Sequence, residues 1–257
     1  MTPIVMKFGG ASVATPESFH HIAEIIAKRK QIEKRPIVVV VSAMADATDR
    51  LLALARQIHP SPPARELDML ISTGERISIA LLAMALALKG IDAVSFTGSQ
   101  SGMITDESHS DAKIVAVRPS RILAAFQANQ VAIVAGFQGV SRSGEITTLG
   151  RGGSDTSAVA LAIGLDAAAV DFYKDVAGIY ETDPKLDPNA RLLSSLDYAS
   201  AEHLAMCGAK VLHARSIALA RKNGVALNIR SFHAADHIGT IVGSSTAQRP
   251  AELKWEL

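Results

Sequence analysis

Residues Ile37–Val41 read Ile-Val-Val-Val-Val, five β-branched residues with no polar member. A strand with one wet face would interrupt such a run with polar side chains, so this segment is expected to be buried on both faces. Burial on two sides needs helices above and below a sheet. Upstream, Thr15 and Pro16 precede Phe19, Ile22, Ala23, Ile25 and Ile26, which recur at helical spacing. A threonine N-cap followed by proline at the first helical position marks a helix start. Before that helix, Ile4–Phe8 reads as a short strand.

The alternation continues along the chain. Helices are predicted at about Thr48–Ile58 and, after the proline-rich break His59–Pro63, at about Ala64–Ile71 and Gly74–Leu88. Strands are predicted at Ile91–Phe96 and Val131–Ala135, with a helix near Ser120–Ala128 between them. A glycine-punctuated loop follows Gly136, with Ser143-Gly144 as a hairpin turn. Then come a helix at Ser154–Ile163, a strand at Ala167–Tyr173 and a turn-rich segment through Pro188. Helices at Tyr198–Met206 and Ala214–Lys222 and a strand at Ala226–Ser231 complete the pattern. The expected fold is α/β, with a mainly parallel sheet covered by helices on both faces. Two lobes, 1–145 and 146–257, are expected to meet at a cleft.

Composition narrows the function classes. Of 257 residues, 48% are hydrophobic and 4% aromatic, so aliphatic side chains must fill a sizeable core. Basic and acidic residues nearly balance, 26 against 25, which leaves no electrostatic footprint for nucleic acid or an anionic membrane. The longest apolar run, Ile79–Leu88, is short of a membrane span, and no basic-then-apolar leader opens the chain. The single cysteine, Cys207, excludes an internal disulfide and is expected as a small buried residue. The expectation is a soluble cytoplasmic protein that binds neither nucleic acid nor membrane.

Two glycine turns carry the chemistry. Lys7-Phe8-Gly9-Gly10 follows the first strand, and Gly150-Arg151-Gly152-Gly153-Ser154-Asp155 opens an apolar helix. Glycines let the backbone approach a phosphate, and the N–H groups at a helix start favour negative charge. Arginine grips a carboxylate or phosphate with two parallel bonds. Such turns, each with its own charged residue, point to phosphoryl transfer. Several known nucleotide motifs are missing. The chain has no Gly-Lys dipeptide and hence no P-loop, and Asp155 stands where the dinucleotide fingerprint needs its last glycine. Nothing matches the protein-kinase catalytic loop or zinc-ligand spacing.

Together the turns resemble the amino-acid kinase family, its aspartate kinases in particular. The resemblance extends through Val41-Ser42-Ala43-Met44, Thr48-Asp49, Gly74-Glu75-Arg76-Ile77-Ser78, Ala135-Gly136-Phe137-Gln138-Gly139 and Thr148–Asp155. It continues in Asp175–Tyr180, Thr182-Asp183-Pro184 and Gly208–His213, in family order over nearly the whole chain. It implies a three-layer α/β/α sandwich that transfers the γ-phosphate of ATP to the side-chain carboxylate of L-aspartate, with Mg2+ arriving on the nucleotide and no protein-held metal. Lys7 and Asp155 would be catalytic, Lys7 stabilising charge on the phosphoryl group and Asp155 orienting lysine. Glu75 would meet the substrate's amino group and Arg151 its carboxylate, with Ser42, Thr48 and Ser154 adding contacts. The nucleotide would lie near Lys7, Gly9, Gly10, Gly152, Gly153, Lys174, Asp175, Tyr180, Lys185, Lys210 and Val211. Ser154 or Asp155 would also cap the helix that begins there.

Two residues depart from the common pattern: Lys174 replaces threonine or serine, and Lys185 replaces the arginine after Asp-Pro. The family-like pattern ends at Gly239–Gly243, so the resemblance predicts no regulatory domain within these residues and leaves a place for a separate regulatory subunit. A homodimer or higher homo-oligomer is expected. The alternatives are an amino-acid kinase acting on glutamate or a specialised-metabolite carboxylate, and a non-catalytic binding subunit that retains the fold.

Overall fold

The structure, a computed structural model, describes residues 1–182, 184, 186–209, 211–243, 250 and 252–256. The chain opens with β1 (Ile4–Phe8), α1 (Pro16–Glu33), β2 (Ile37–Val41), α2 (Ala47–Ile58), α3 (Ala64–Ile71) and α4 (Thr73–Ala87). It continues through β3 (Ala93–Phe96), β4 (Met103–Thr105), β5 (Ile114–Val117), α5 (Ser120–Gln127), β6 (Val131–Ala135), β7 (Gln138–Ser141) and β8 (Ile146–Thr148). The remainder is α6 (Gly153–Gly164), β9 (Ala169–Lys174), β10 (Ser195–Leu196), α7 (Tyr198–Met206), α8 (Ala214–Asn223), β11 (Ala226–Ser231) and β12 (Ile238–Val242).

Eight strands form the main sheet in the order β10-β12-β11-β9-β1-β2-β6-β3, parallel throughout except where β12 runs against β11. Strand periodicity divides each run between two cores. Val38 and Val40 of β2 pack with Ala158–Ile163 of α6 and with Ile217 and Leu219 of α8. Ile37, Val39 and Val41 face the other way, onto Phe19, Ile22 and Ile26 of α1 and Leu82 and Leu86 of α4. All five are at most 2% exposed, as the unbroken β-branched run requires. The result is an α/β/α sandwich. Thr15 caps α1, its Oγ1 accepting from Ser18 N at 3.4 Å, with Pro16 in the first turn.

The sheet runs through both halves of the chain, because β1 pairs with β2 on one side and β9 on the other. Helix α6 lies across it, packed on β1, β2 and β9.

Four findings differ from the sequence reading. Strands appear where none is expected, between Phe96 and Ser120 and in the loop after Gly136: β5-β4-β7-β8 form a second sheet of three- and four-residue strands, with Gly144 at φ +90° in the β7–β8 hairpin. Strands this short carry too little alternation to be seen. Helices α3 and α4 nearly join, giving Ala64–Ala87 the length and apolarity of a membrane span by composition, with half of its most apolar window buried in the protein. Cys207 is exposed, just past the end of α7, with Sγ 3.6 Å from His203 Nε2. Lastly, the N-cap of α6 is Gly152, and neither Ser154 nor Asp155 caps the helix.

Candidate active site

Strand periodicity also builds the site. Lys7 lies on the same face of β1 as Val5, the face packed under α6. Lys7 is opposite Phe172 in the parallel pairing with β9, so Lys174, two residues further on, shares that face. Asp155 hangs from the first turn of α6 above both. Its Oδ1 is 2.5 Å from Lys7 Nζ, and its Oδ2 is 3.1 Å from Lys174 Nζ. This is the carboxyl end of the parallel strands, where open α/β sheets bind their ligands.

All three groups are largely buried, and burial bears on the titration of Lys7 and Asp155. Burial lowers the Lys7 ammonium to about 8, against the opposing pull of Asp155. Burial alone would push Asp155 up, but Lys174 and Lys7 outweigh it and hold the carboxyl at about 2. Asp155 is therefore a fixed anion. Instead of capping α6 it spends both oxygens on lysines.

The glycine turns make the close approach possible. Gly10 passes the β2–α2 connection so tightly that an added Cβ would sit 3.3 Å from Ala43 O. Gly152 has φ +71°, and a Cβ there would fall 2.2 Å from His213 Cγ. No other residue meets both demands. Gly9 lies over Lys7, Gly153 begins α6, and Ser154 is half-buried beside Gly136.

Near Lys7, whose ammonium feels its charge, Glu75 in the first turn of α4 is 3% exposed. Its Oε1 accepts from Ala43 N at 3.1 Å, while the buried Oε2 has no hydrogen-bond partner among the described residues. Burial raises its carboxyl to about 7. A buried carboxylate oxygen left open is costly unless a cation reaches it, which makes it a natural seat for an ammonium group. Ser42 is half-buried beyond β2, held through its N–H to Phe8 O, and Thr48 is half-buried in the first turn of α2. Arg151 is exposed on the turn into α6, and its side chain has no partner among the described residues.

The other expected nucleotide contacts are spread further. Asp175 is exposed next to Lys174, and Tyr180 is half-buried in an isolated bridge to Leu192. Val211 packs against the apolar core. Lys185 and Lys210 lie outside the described residues. Among the described residues no cluster of His, Cys, Asp or Glu could hold a metal. With Asp155 occupied by two ammonium groups, these residues do not form a protein-held magnesium site. A cavity of about 560 Å³ opens between α2 and the start of α4, lined by Met44, Ala45, Leu51, Leu54, Gly74 and Ile77.

Two supports escaped the sequence reading. Asp68 of α3 is fully buried and accepts from His109 Nδ1 (2.8 Å), Ser110 N (3.1 Å), Thr148 N (3.1 Å) and Thr148 Oγ1 (2.6 Å). It pins the end of β8, three residues before Arg151. Arg215 of α8 donates to Leu149 O and Ala112 O and pairs with Glu256. Both are long-range contacts with no local signature.

Residues 2–231 match the amino acid kinase family. The chain is 50% identical over 98% of its length to an aspartokinase of Mycolicibacterium smegmatis, of which it spans 60%. The crystal structure of aspartate kinase from Synechocystis superposes with a TM-score of 0.85 at 45% identity, over 96% of this chain and 40% of that one. Aspartokinase III of E. coli, solved in complex with aspartate and ADP, gives 0.80 at 27% identity over 96% of this chain and 66% of that one.

Proposed function

Because this chain belongs to the amino acid kinase family, we propose that it transfers the γ-phosphate of ATP to the side-chain carboxylate of L-aspartate, giving 4-phospho-L-aspartate and ADP. The observation that carries this reading is the nearness of two buried groups, with the charge of Glu75 acting on Lys7. In this reading the Lys7–Asp155 pair meets a phosphate, and the open Oε2 of Glu75 awaits an ammonium. Names of relatives support the acceptor, as do the aspartate and ADP in the E. coli neighbour.

In this reading Glu75 holds the α-amino group of aspartate, and the free guanidinium of Arg151 grips a carboxylate with two parallel bonds. Ser42, Thr48 and Ser154 supply polar contacts around the acceptor. One oxygen of the side-chain carboxylate attacks Pγ while the bond from Pγ to the bridging oxygen of ADP breaks. No proton changes hands, so the protein's task is positioning and charge neutralisation. Lys7 donates to the transferring phosphoryl group, and Asp155 keeps its ammonium aimed there. Magnesium enters as part of the nucleotide substrate. ATP lies over Gly9, Gly10 and the start of α6, with residues 146–257 supplying most of its contacts.

The same reading carries a homo-oligomer. Helix α4 and its C-cap leave Ile77, Met84 and Leu88 exposed by 53%, 63% and 79%, apolar surface that a second copy would cover. It also places the protein in the cytoplasm, where the exposed Cys207 thiol would stay reduced. The decisive experiment supplies Mg-ATP, hydroxylamine and either L-aspartate or L-glutamate. Aspartyl hydroxamate is the expected product, and a preference for glutamate would overturn the substrate assignment.

A further inference from the structure

Lys7 and Asp155 neutralise one another, so alone they offer a phosphate no net charge. The structure contains a second ammonium at the same carboxylate, on a position where the resemblance leads one to expect a neutral hydroxyl. Lys174 ends β9 with its side chain 14% exposed, its Nζ 3.1 Å from Asp155 Oδ2 and 5.6 Å from the centre of the Phe172 ring. The aromatic face and the carboxylate together fix where that ammonium points. Two lysines and one aspartate give this three-residue cluster one net positive charge, with Glu75 facing Lys7 from α4, beside the Gly9-Gly10 turn and the N-terminus of α6.

We propose that Lys174 is a second phosphate-directed cation of this site: it supplies the net positive charge of the Lys7–Asp155–Lys174 cluster and, through Asp155, fixes the aim of Lys7. Resting on the kinase reading above, the proposal assigns Lys174 to the transferring end of the triphosphate. As negative charge gathers on the phosphoryl oxygens, Lys7 and Lys174 act on it from neighbouring strands, with Asp155 as the strut between them. Charges already held in place in a buried site need no reorganisation when the reaction occurs.

The cluster also has a titration signature. The charged groups facing Lys7 are Asp155 from α6, Lys174 from β9 and Glu75 from α4. Burial lowers Lys7 most and Asp155 opposes it, while repulsion from Lys174 lowers it further. Removing the charge at residue 174 therefore raises the pKa of Lys7. Lys7 works as an ammonium, so the basic limb of the rate profile must move to higher pH.

The test compares Lys174→Met, which keeps the apolar stem, with Lys174→Thr, the hydroxyl common at this position, and Lys174→Arg. Asp155 keeps Lys7 in every variant, and unfolding midpoints identify any that fail to fold. Lys174→Met and Lys174→Thr are expected to lower kcat by roughly 10²-fold, the usual scale for one charge-stabilising donor. Their basic limb is expected to shift upward with KM for aspartate little changed, while Lys174→Arg keeps the wild-type limb. An unchanged kcat, or a lowered kcat with an unmoved limb, would overturn the proposal. A second arm does not depend on the acceptor: calorimetry with a non-hydrolysable ATP analogue and Mg2+ should show about tenfold weaker binding to Lys174→Met. If wild-type protein makes no aspartyl hydroxamate, the substrate reading fails and this arm alone decides the role of Lys174, equal affinities overturning it.

Discussion

Arg215 and Glu256 form a two-point ion pair, with Arg215 Nη2 2.9 Å from Glu256 Oε2 and Nε paired to Oε1. The pair ties residues near the end of the sequence to the loop that carries Arg151. Arg215 also donates to Leu149 O and Ala112 O, and Glu256 Oε2 accepts from Ile114 N at 2.8 Å. The two side chains are 15% and 6% exposed, so neither is readily rescued by solvent.

Arg215→Met would strand Glu256 as a buried carboxylate and release Leu149 O. Breaking one partner of such a pair costs about 3–5 kcal/mol. Urea denaturation is the measurement, and a loss below about 1 kcal/mol would show that the pair does not secure the loop. Because Arg151 follows two residues after Leu149, KM for aspartate is expected to rise in the same variant.

Lys7→Ala removes the donor closest to the expected phosphoryl position. Its interaction is strongest with transition-state charge, so kcat should fall by about 10²–10³ while substrate binding changes little. Steady-state kinetics on folded variant protein would contradict the assignment if kcat stayed near the wild-type value.

Glu75 links stability to function through pH. Burial raises its carboxyl from 4.5 to about 7. Between those values the folded protein holds a proton that the unfolded chain has released, so stability falls as pH rises through the window. Glu75→Gln removes this dependence. Without substrate, the stability difference should move in the variant's favour by about 1–3 kcal/mol between about pH 5 and pH 8. Aspartate should restore stability to the wild-type protein alone, its ammonium meeting the open Oε2. Parallel pH profiles for the two proteins would refute the assignment.

Arg151→Lys replaces a planar fork by a point charge. KM for aspartate should increase more than KM for ATP, because a lysine cannot make two parallel bonds to a carboxylate. A selective loss of ATP affinity would move Arg151 to the nucleotide phosphates.

Some of this architecture is written locally and some is not. Ile37–Val41 has the same limits in sequence and structure because β-branched residues buried on two faces leave no ambiguity of period. The start of α1 is equally plain, since Thr15 and Pro16 act within one turn. Lys7 and Asp155 were each visible through the glycines beside them, and the sheet brings them together. Asp68 gave no signal, because its meaning lies in donors at residues 109, 110 and 148 that only the tertiary fold assembles. Lys174 looked like a departure from a pattern, and its partner became evident only once β9 was set beside β1. The sequence suggests a side-chain cap for α6 at Ser154 or Asp155, but a glycine at φ +71° begins the helix with no side-chain oxygen. The small second sheet escaped because a three-residue strand shows barely one period of alternation.

Strand β1 precedes the other strands of the main sheet in the sequence, yet it belongs at the middle of that sheet. Its β2 edge is covered early, by Ile37–Val41, whereas its other edge waits for Ala169–Lys174. A nascent chain that has not reached β9 therefore displays an apolar row of unpaired N–H and C=O groups, the kind of edge that recruits foreign strands. Closing that gap is a long-range event, which tends to be slow. It is also the step that brings Lys174 and Lys7 beneath Asp155. The capacity for chemistry and protection against aggregation should thus arrive together, late in folding, with the docking of one strand.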